Sequence, residues 1–182
     1  NFQRYESRKG DLLADVVYRN AFVKMAVSES IFTKSTKRLE VRICPAETVE
    51  RNRKMILRTD ELLDPKKKMR EKFFYTLHFI KAVDKVKEVQ GYCSCRHSEK
   101  RKQVERQAHA IVELREKYPL VGRRILGIDA ASNEIGCRAE VFAQAFRYLK
   151  DHRWSYMTAD GMKNLPQLYA TYHVGEDFLD LA

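Results

Sequence analysis

No apolar run in this 182-residue chain approaches the ~20 residues that a membrane-spanning helix requires, which argues against a membrane protein. The first residues, Asn1-Phe-Gln-Arg-Tyr-Glu-Ser7, carry neither signal-peptide architecture nor an initiator methionine. Cysteine is scarce. Cys44, Cys93, Cys95 and Cys137 do not form a disulfide framework for a chain of this size, and reduced thiols in a cytoplasmic protein are expected. The standard RNA- and DNA-binding signatures are missing as well.

What is present is the balance of a globular domain, with 44% hydrophobic and 33% charged residues and enough chain for one sizeable core. The net charge of +10 comes from scattered clusters: Arg51 to Lys54, Lys66-Lys67-Lys68, Lys100-Arg101-Lys102 and Arg123-Arg124. A positive excess supplies non-specific affinity for polyanions and no chemistry. Most of these clusters fall in or beside expected helices and read as solvated faces.

Helices and strands alternate along the chain. Leu12-Leu13, Val16-Val17, Ala21 and Val27 recur at helical spacing, predicting an amphipathic helix over roughly 10–32. Leu39 to Cys44 alternates apolar and polar residues before Pro45 and predicts a strand. A weakly patterned helix follows over Val49 to Leu63, then a loop at Pro65 and its three lysines. Phe73 to Ile80 is aromatic and β-rich, a buried strand. Residues 86–99 read as an irregular insertion, and Val104, Ala108, Ile111 and Leu114 mark one face of the next helix. Arg124 to Ile128 predicts a third strand; Phe142, Ala145, Phe146 and Leu149 a helix; 153–167 a long loop; Leu168 to Val174 a last strand. Four strands with helix-bearing connections predict parallel βαβ units, in a (β/α)₈ barrel segment or a doubly wound sheet. Both architectures gather chemistry at the carboxyl ends of strands. Glu47, Lys81, Asp129 to Glu134 and His173 to Asp177 fall there.

The last of these groups is the most chemical. A strand delivers His173 and Glu176 to its end with Gly175 between them, and that glycine lets the backbone turn sharply. A neutral imidazole is a good metal ligand, and a carboxyl group beside it suits proton transfer.

Gly127-Ile-Asp-Ala-Ala-Ser-Asn-Glu134, followed by a helix and then His173-Val-Gly-Glu176, resembles the adenosine deaminase family of metal-dependent hydrolases. In that family one strand ends in a Gly-Ile-Asp-Leu-Ala-Gly-x-Glu-like sequence and the next in His-Ala-Gly-Glu. The resemblance covers roughly 124–177 and is only architectural before that. It implies an α/β chain forming about strands 3 to 6 of a (β/α)₈ TIM barrel, with residues 1–182 a single partial domain. It also implies Zn²⁺ as cofactor, His173 as a metal ligand and Glu176 as the acid that protonates the purine ring nitrogen. The reaction implied is hydrolytic deamination of adenosine or an adenine nucleotide. Gly175, Ser132 and Asp129 would contact substrate and shape the site, Asp129 and Glu134 through hydrogen bonds. Ser132 stands where the family has a glycine whose N–H meets the purine, and Val174 replaces an alanine. The family's His-x-His pair and its further histidine and aspartate ligands come from strands that have no counterpart here. The resemblance therefore implies the central segment of a longer, active protein.

His173-Val-Gly-Glu-Asp177, the basic insertions and Cys93-Ser-Cys-Arg-His97 are similar to the large adenosine deaminase subunit of bacterial RADAR-type phage defence. That narrower resemblance implies a homo-oligomer working with an ATPase partner on adenine nucleotides or RNA. The His-x-Glu with Pro-Cys-x-x-Cys signature of the unrelated zinc deaminases is absent.

Two rival readings stand beside the deaminase. One is a non-catalytic basic α/β module that binds RNA or a protein partner; the other is an aminohydrolase acting on a different purine or amidine. Only the enzyme readings require His173 and Asp129 at the same end of adjacent parallel strands, facing a common cavity. Among the other candidates, Cys93-x-Cys95-x-His97 has no second pair at finger-like spacing and reads as a loop with free thiols. His78 reads as a hydrogen-bonded core histidine, although the barrel analogy places it and Lys81 near the site mouth. His109 reads as helix surface, and His152 as a cation at a helix end.

Overall fold

The computed structural model describes residues 10–12, 14–31, 35–84 and 96–176. The candidate positions Cys93, Cys95 and Asp177, and most of the 86–99 insertion, lie outside them. The chain divides into two compact units, Asn1–Glu40 with Ile56–Phe74 and Val41–Met55 with Tyr75–Ala182. Among the described residues no helix is long and apolar enough to cross a membrane.

The first unit holds helix α1 (Val16–Ile31). Asp15 starts it, its carboxylate accepting the N–H groups of Val17 at 2.7 Å and Tyr18 at 3.2 Å. The expected amphipathic pattern does not become a buried stripe: Val16, Val17, Phe22 and Met25 are all exposed. The same unit holds the second half of α2 (Val49–Leu63), whose bounds match the sequence expectation. Buried Asp64 ends that helix and shapes the lysine loop, accepting the N–H groups of Lys68 at 2.9 Å and Met69 at 2.8 Å. Buried Asp60 pairs with Arg70 at 3.0 Å.

The second unit carries the sheet and the polar groups of interest. Strands β1 (Leu39–Ile43) and β2 (Phe73–Lys81) begin in the first unit and end here. Helices α3 (Ser98–Lys117) and α4 (Pro119–Gly122) lead to β3 (Ile125–Ser132). Helix α5 (Glu140–Asp151) and the hairpin β4 (Ser155–Thr158) and β5 (Gly161–Asn164) precede β6 (Tyr169–Ala170). The four-stranded sheet has the order β1-β2-β3-β6, and both β2/β3 and β3/β6 are parallel.

β3 is buried along nearly its whole length, as a central parallel strand must be. Its small residues set the strand spacing. A Cβ on Gly127 would stand 2.6 Å from Thr76 Oγ1 on β2, so only glycine lets the two approach. The core forms between the sheet and two helices. α3 buries Val104, Ala108, Ile111 and Leu114, the stripe expected from its sequence, and α5 buries Val141, Phe142, Ala145 and Leu149. Phe79 of β2 meets Phe142 and Phe146 of α5, with ring centroids 6.4 and 5.6 Å apart. Burying each such ring is worth about 2–3 kcal/mol. The loop after β1 is pinned by fully buried Asn52, whose side chain both accepts from Ala46 N (2.7 Å) and donates to Ala46 O (2.9 Å).

Two expectations need adjustment. The loop expected at 153–167 contains the β4/β5 hairpin. The last strand, expected over Leu168 to Val174, is regular only at Tyr169–Ala170. Its ladder nevertheless continues, because Thr171 N donates to Ile128 O and His173 N to Ala130 O, each at 2.9 Å.

A candidate metal and proton-transfer site

The register of the sheet assembles the site. His78 of β2 lies directly opposite Asp129 of β3, so their side chains share a face. The ladder from β3 to the segment after β6 then brings His173 alongside. Asp129 is fully buried, and its Oδ2 is met by three nitrogens: His78 Nδ1 at 2.8 Å, His173 Nδ1 at 2.9 Å and Arg42 Nη1 at 2.9 Å. The other oxygen, Oδ1, accepts the Thr171 hydroxyl at 2.9 Å. Burial pushes this carboxyl up, but the Thr171 hydroxyl, the nearby His173 and the His78 hydrogen bond outweigh it and hold the carboxyl below its ordinary value.

The two histidines differ. His78 makes a hydrogen bond to Asp129, whereas His173 Nδ1 is buried and close without the alignment of one. Their rings cross edge-on with centroids 5.5 Å apart. His173 Nε2 lies 3.2 Å from Arg42 Nη1. Ligand atoms of His78, Asp129 and His173 all fall within 4.8 Å of one another, a nitrogen and oxygen set able to hold a metal ion.

A second cluster adjoins the first. Glu176 Oε2 accepts the backbone N–H of Ser132 at 2.6 Å and lies 3.7 Å from the Lys81 ammonium. Lys81 also donates to Glu134 Oε1 at 2.9 Å and to the His173 carbonyl at 3.0 Å. Glu134 accepts the Gly175 N–H at 2.9 Å on its other oxygen, and the Lys81 hydrogen bond leads the causes that hold its carboxyl below the ordinary value. Gly175 has φ +80°, which explains the glycine between His173 and Glu176. Ser132 has φ +83°, a conformation that favours glycine, at the position where the resembled family carries one. Tyr172 packs against Phe142 of α5, with ring centroids 6.2 Å apart; burial first, then nearby negative groups, push its hydroxyl up to about 12.

The structure thus brings together all five site residues expected from sequence. His173, Asp129, Ser132, Gly175 and Glu176 share one end of adjacent parallel strands, and His173 and Asp129 face each other. Sequence reasoning did not single out Arg42 or Thr171, each within an expected strand, and read His78 as a core histidine that only the barrel analogy placed near the site mouth. Arg42 sits at the carboxyl end of β1, where its proximity to the chemistry was open to inference. A groove of about 230 Å³ lies elsewhere, lined by α3 and α5 residues such as Val104, His109, Val141 and Tyr148, none of which belongs to either cluster.

The basic clusters are only partly solvated. Lys66, Lys67 and Lys68 are exposed, but Lys100 is buried enough to push its ammonium down. Arg101 donates to the carbonyls of Arg96 and Glu140. Arg124 lies over the Tyr75 ring, 5.2 Å from its centroid. His152 accepts from Arg115 and reaches Glu116 at 3.1 Å, so it bridges side chains beyond serving a helix end. Cys44 and Cys137 are free thiols.

No protein-family model matches this chain, and no curated protein matches it in sequence.

Proposed function

We propose that this chain supplies part of the active site of a zinc-dependent adenosine deaminase-like hydrolase, converting adenosine or an adenine nucleotide to its inosine form. The observation that carries the reading is the convergence of His78, Asp129 and His173, with Glu176 tied to the same strand ends. The donors fit zinc. They are two imidazoles and a carboxylate, and one imidazole nitrogen is buried without a hydrogen-bond partner. His78 and His173 would hold the ion, with Asp129 as third donor or as the anchor that orients both rings. When bound, zinc supplies a water acidified to a pKa of about 7.

The chain's own residues do the rest. Thr171 and Arg42 fix the Asp129 carboxylate, so that the imidazoles are presented rather than free to rotate. The Gly175 turn folds Glu176 back onto the Ser132 N–H, where its carboxyl holds and delivers a proton to a purine ring nitrogen. The glycine-like backbone of Ser132 supports kinship with the Gly-Ile-Asp-Leu-Ala-Gly pattern.

On this reading the sheet is part of a (β/α)₈ barrel in a cytoplasmic protein, and further ligands come from the remaining strands. The narrower resemblance extends it to a homo-oligomer with an ATPase partner and adenine nucleotides or RNA as substrates.

The test is zinc content and inosine formation in the full-length protein and its His173→Ala variant. Both should fall, zinc affinity by about 100-fold or more once a direct ligand is gone. Unchanged metal content and activity would remove the ligand role. Zinc-free protein that binds RNA with steep salt dependence would favour the basic binding module.

A further inference from the structure

Lys81 is the last residue of β2, and it is only 1% exposed. Its ammonium reaches the ends of two other strands at once: Glu134 Oε1 at 2.9 Å after β3, and the His173 carbonyl at 3.0 Å after β6. Glu176 Oε2 lies 3.7 Å away, and the face of the Tyr172 ring is 5.1 Å from the nitrogen. Glu134 passes the connection on, accepting the N–H of Gly175 at 2.9 Å and interacting with that of Glu176.

We propose that Lys81 is the positioning residue of the site, setting the direction in which the His173 imidazole and the Glu176 carboxylate leave the backbone. The proposal rests on the metal reading of His78, Asp129 and His173. The geometry is specific. The His173 carbonyl belongs to the peptide plane that follows its side chain, and the Gly175 N–H to the next plane. Lys81 fixes the first directly and the second through Glu134. Gly175, at φ +80°, has open space around its α-carbon, so side-chain packing there does not hold the turn. A lysine buried only for stability needs one counter-charge; this one also takes the carbonyl of the proposed ligand.

The experiment measures binding of the zinc ion alone and amide hydrogen exchange at Gly175 and Glu176. The variants are Lys81→Met, Lys81→Arg and Lys81→Met combined with Glu134→Gln. Loss of the tie in Lys81→Met should weaken zinc binding about tenfold or more, as removal of an orienting partner does. Exchange at both amides should accelerate by about the same factor. Lys81→Arg, which keeps the charge and donors, should recover much of both. The double variant, which also removes the Glu134 charge that lost its lysine, should recover part of the thermal stability while zinc affinity and exchange protection stay low. If affinity and protection return together with stability in the double variant, Lys81 merely balances charge and the proposal fails. Unaltered zinc affinity and exchange in Lys81→Met would also overturn it. Equal zinc binding by wild type and His173→Ala would sink the metal reading instead, and the exchange data would still decide whether Lys81 sets the turn.

Discussion

Among the described residues of the second unit two cations are fully buried, and they are held in opposite ways. Lys81 sits among carboxylates, Glu134 at 2.9 Å and Glu176 at 3.7 Å. Arg115 of α3 is 0% exposed and leans on dipoles: its guanidinium donates to the Pro166 carbonyl and lies 3.2 Å from His152 Nδ1, while its Nε has no partner. Burial, reinforced by the Arg153 charge, pushes Arg115 down to about 10, still protonated near neutrality. Arg115 joins α3 to the end of α5 and to the segment before β6, and its work ends when the chain has folded. Lys81 joins three strand ends where the backbone turns. A buried charge placed against neutral dipoles reads as architecture; one placed against carboxylates at a strand end reads as part of a site.

The largest effect expected from that contrast is on stability. Arg115→Met strands the Pro166 carbonyl and the His152 nitrogen in the interior and should cost about 3 kcal/mol. For a chain of this size that lowers Tm by about 8 °C in a thermal melt. Zinc affinity should not change. A variant that keeps its Tm but loses zinc binding would erase the distinction between the two cations.

The turn itself gives a smaller effect. Gly175→Ala places a side chain at φ +80°, where an L-residue is strained by about 1–2 kcal/mol. There is room for the methyl group, so the whole penalty is backbone. We expect a Tm lower by about 4 °C and zinc binding weaker by several-fold, both measurable on one preparation. An equal Tm loss with unaltered zinc affinity would mean that the turn supports the fold and leaves the imidazole alone.

Much of the fold was legible because local chemistry and burial agree. The bounds of α2 and the buried stripe of α3 agree with the expectation, and β3 starts where its apolar run does but continues past Ile128 to Ser132. His173, Asp129 and Glu176 were legible because parallel strands deliver polar residues to their carboxyl ends. The other members needed register, which no single segment encodes. Only the pairing of β2 with β3 sets His78 opposite Asp129, and only the sheet order brings β1 and Arg42 to the same edge of the site. The β4/β5 hairpin was hidden because its short strands are mostly exposed and show no clear alternation. Asp160-Gly161 was the available turn signal. For α1 the apolar spacing was real, but the structure leaves Leu12, Val16 and Val17 exposed.

The smallest expected effect separates backbone shape from side-chain function. Ser132 holds φ +83° while its N–H donates to Glu176 at 2.6 Å, and the hydrogen bond needs only the backbone. Ser132→Gly relieves about 1 kcal/mol of left-handed strain, offset in part by the greater freedom of glycine in the unfolded chain. The net gain should be about 0.5 kcal/mol, a Tm rise of about 1–2 °C, with Glu176 still anchored. Zinc affinity should stay at the wild-type value, since neither Lys81 nor the Gly175 turn is touched. A fall in Tm would show that the serine hydroxyl contributes an interaction outweighing the strain, and the glycine-like geometry at the end of β3 would then be a cost carried for that hydroxyl rather than a shape shared with the Gly-Ile-Asp-Leu-Ala-Gly pattern.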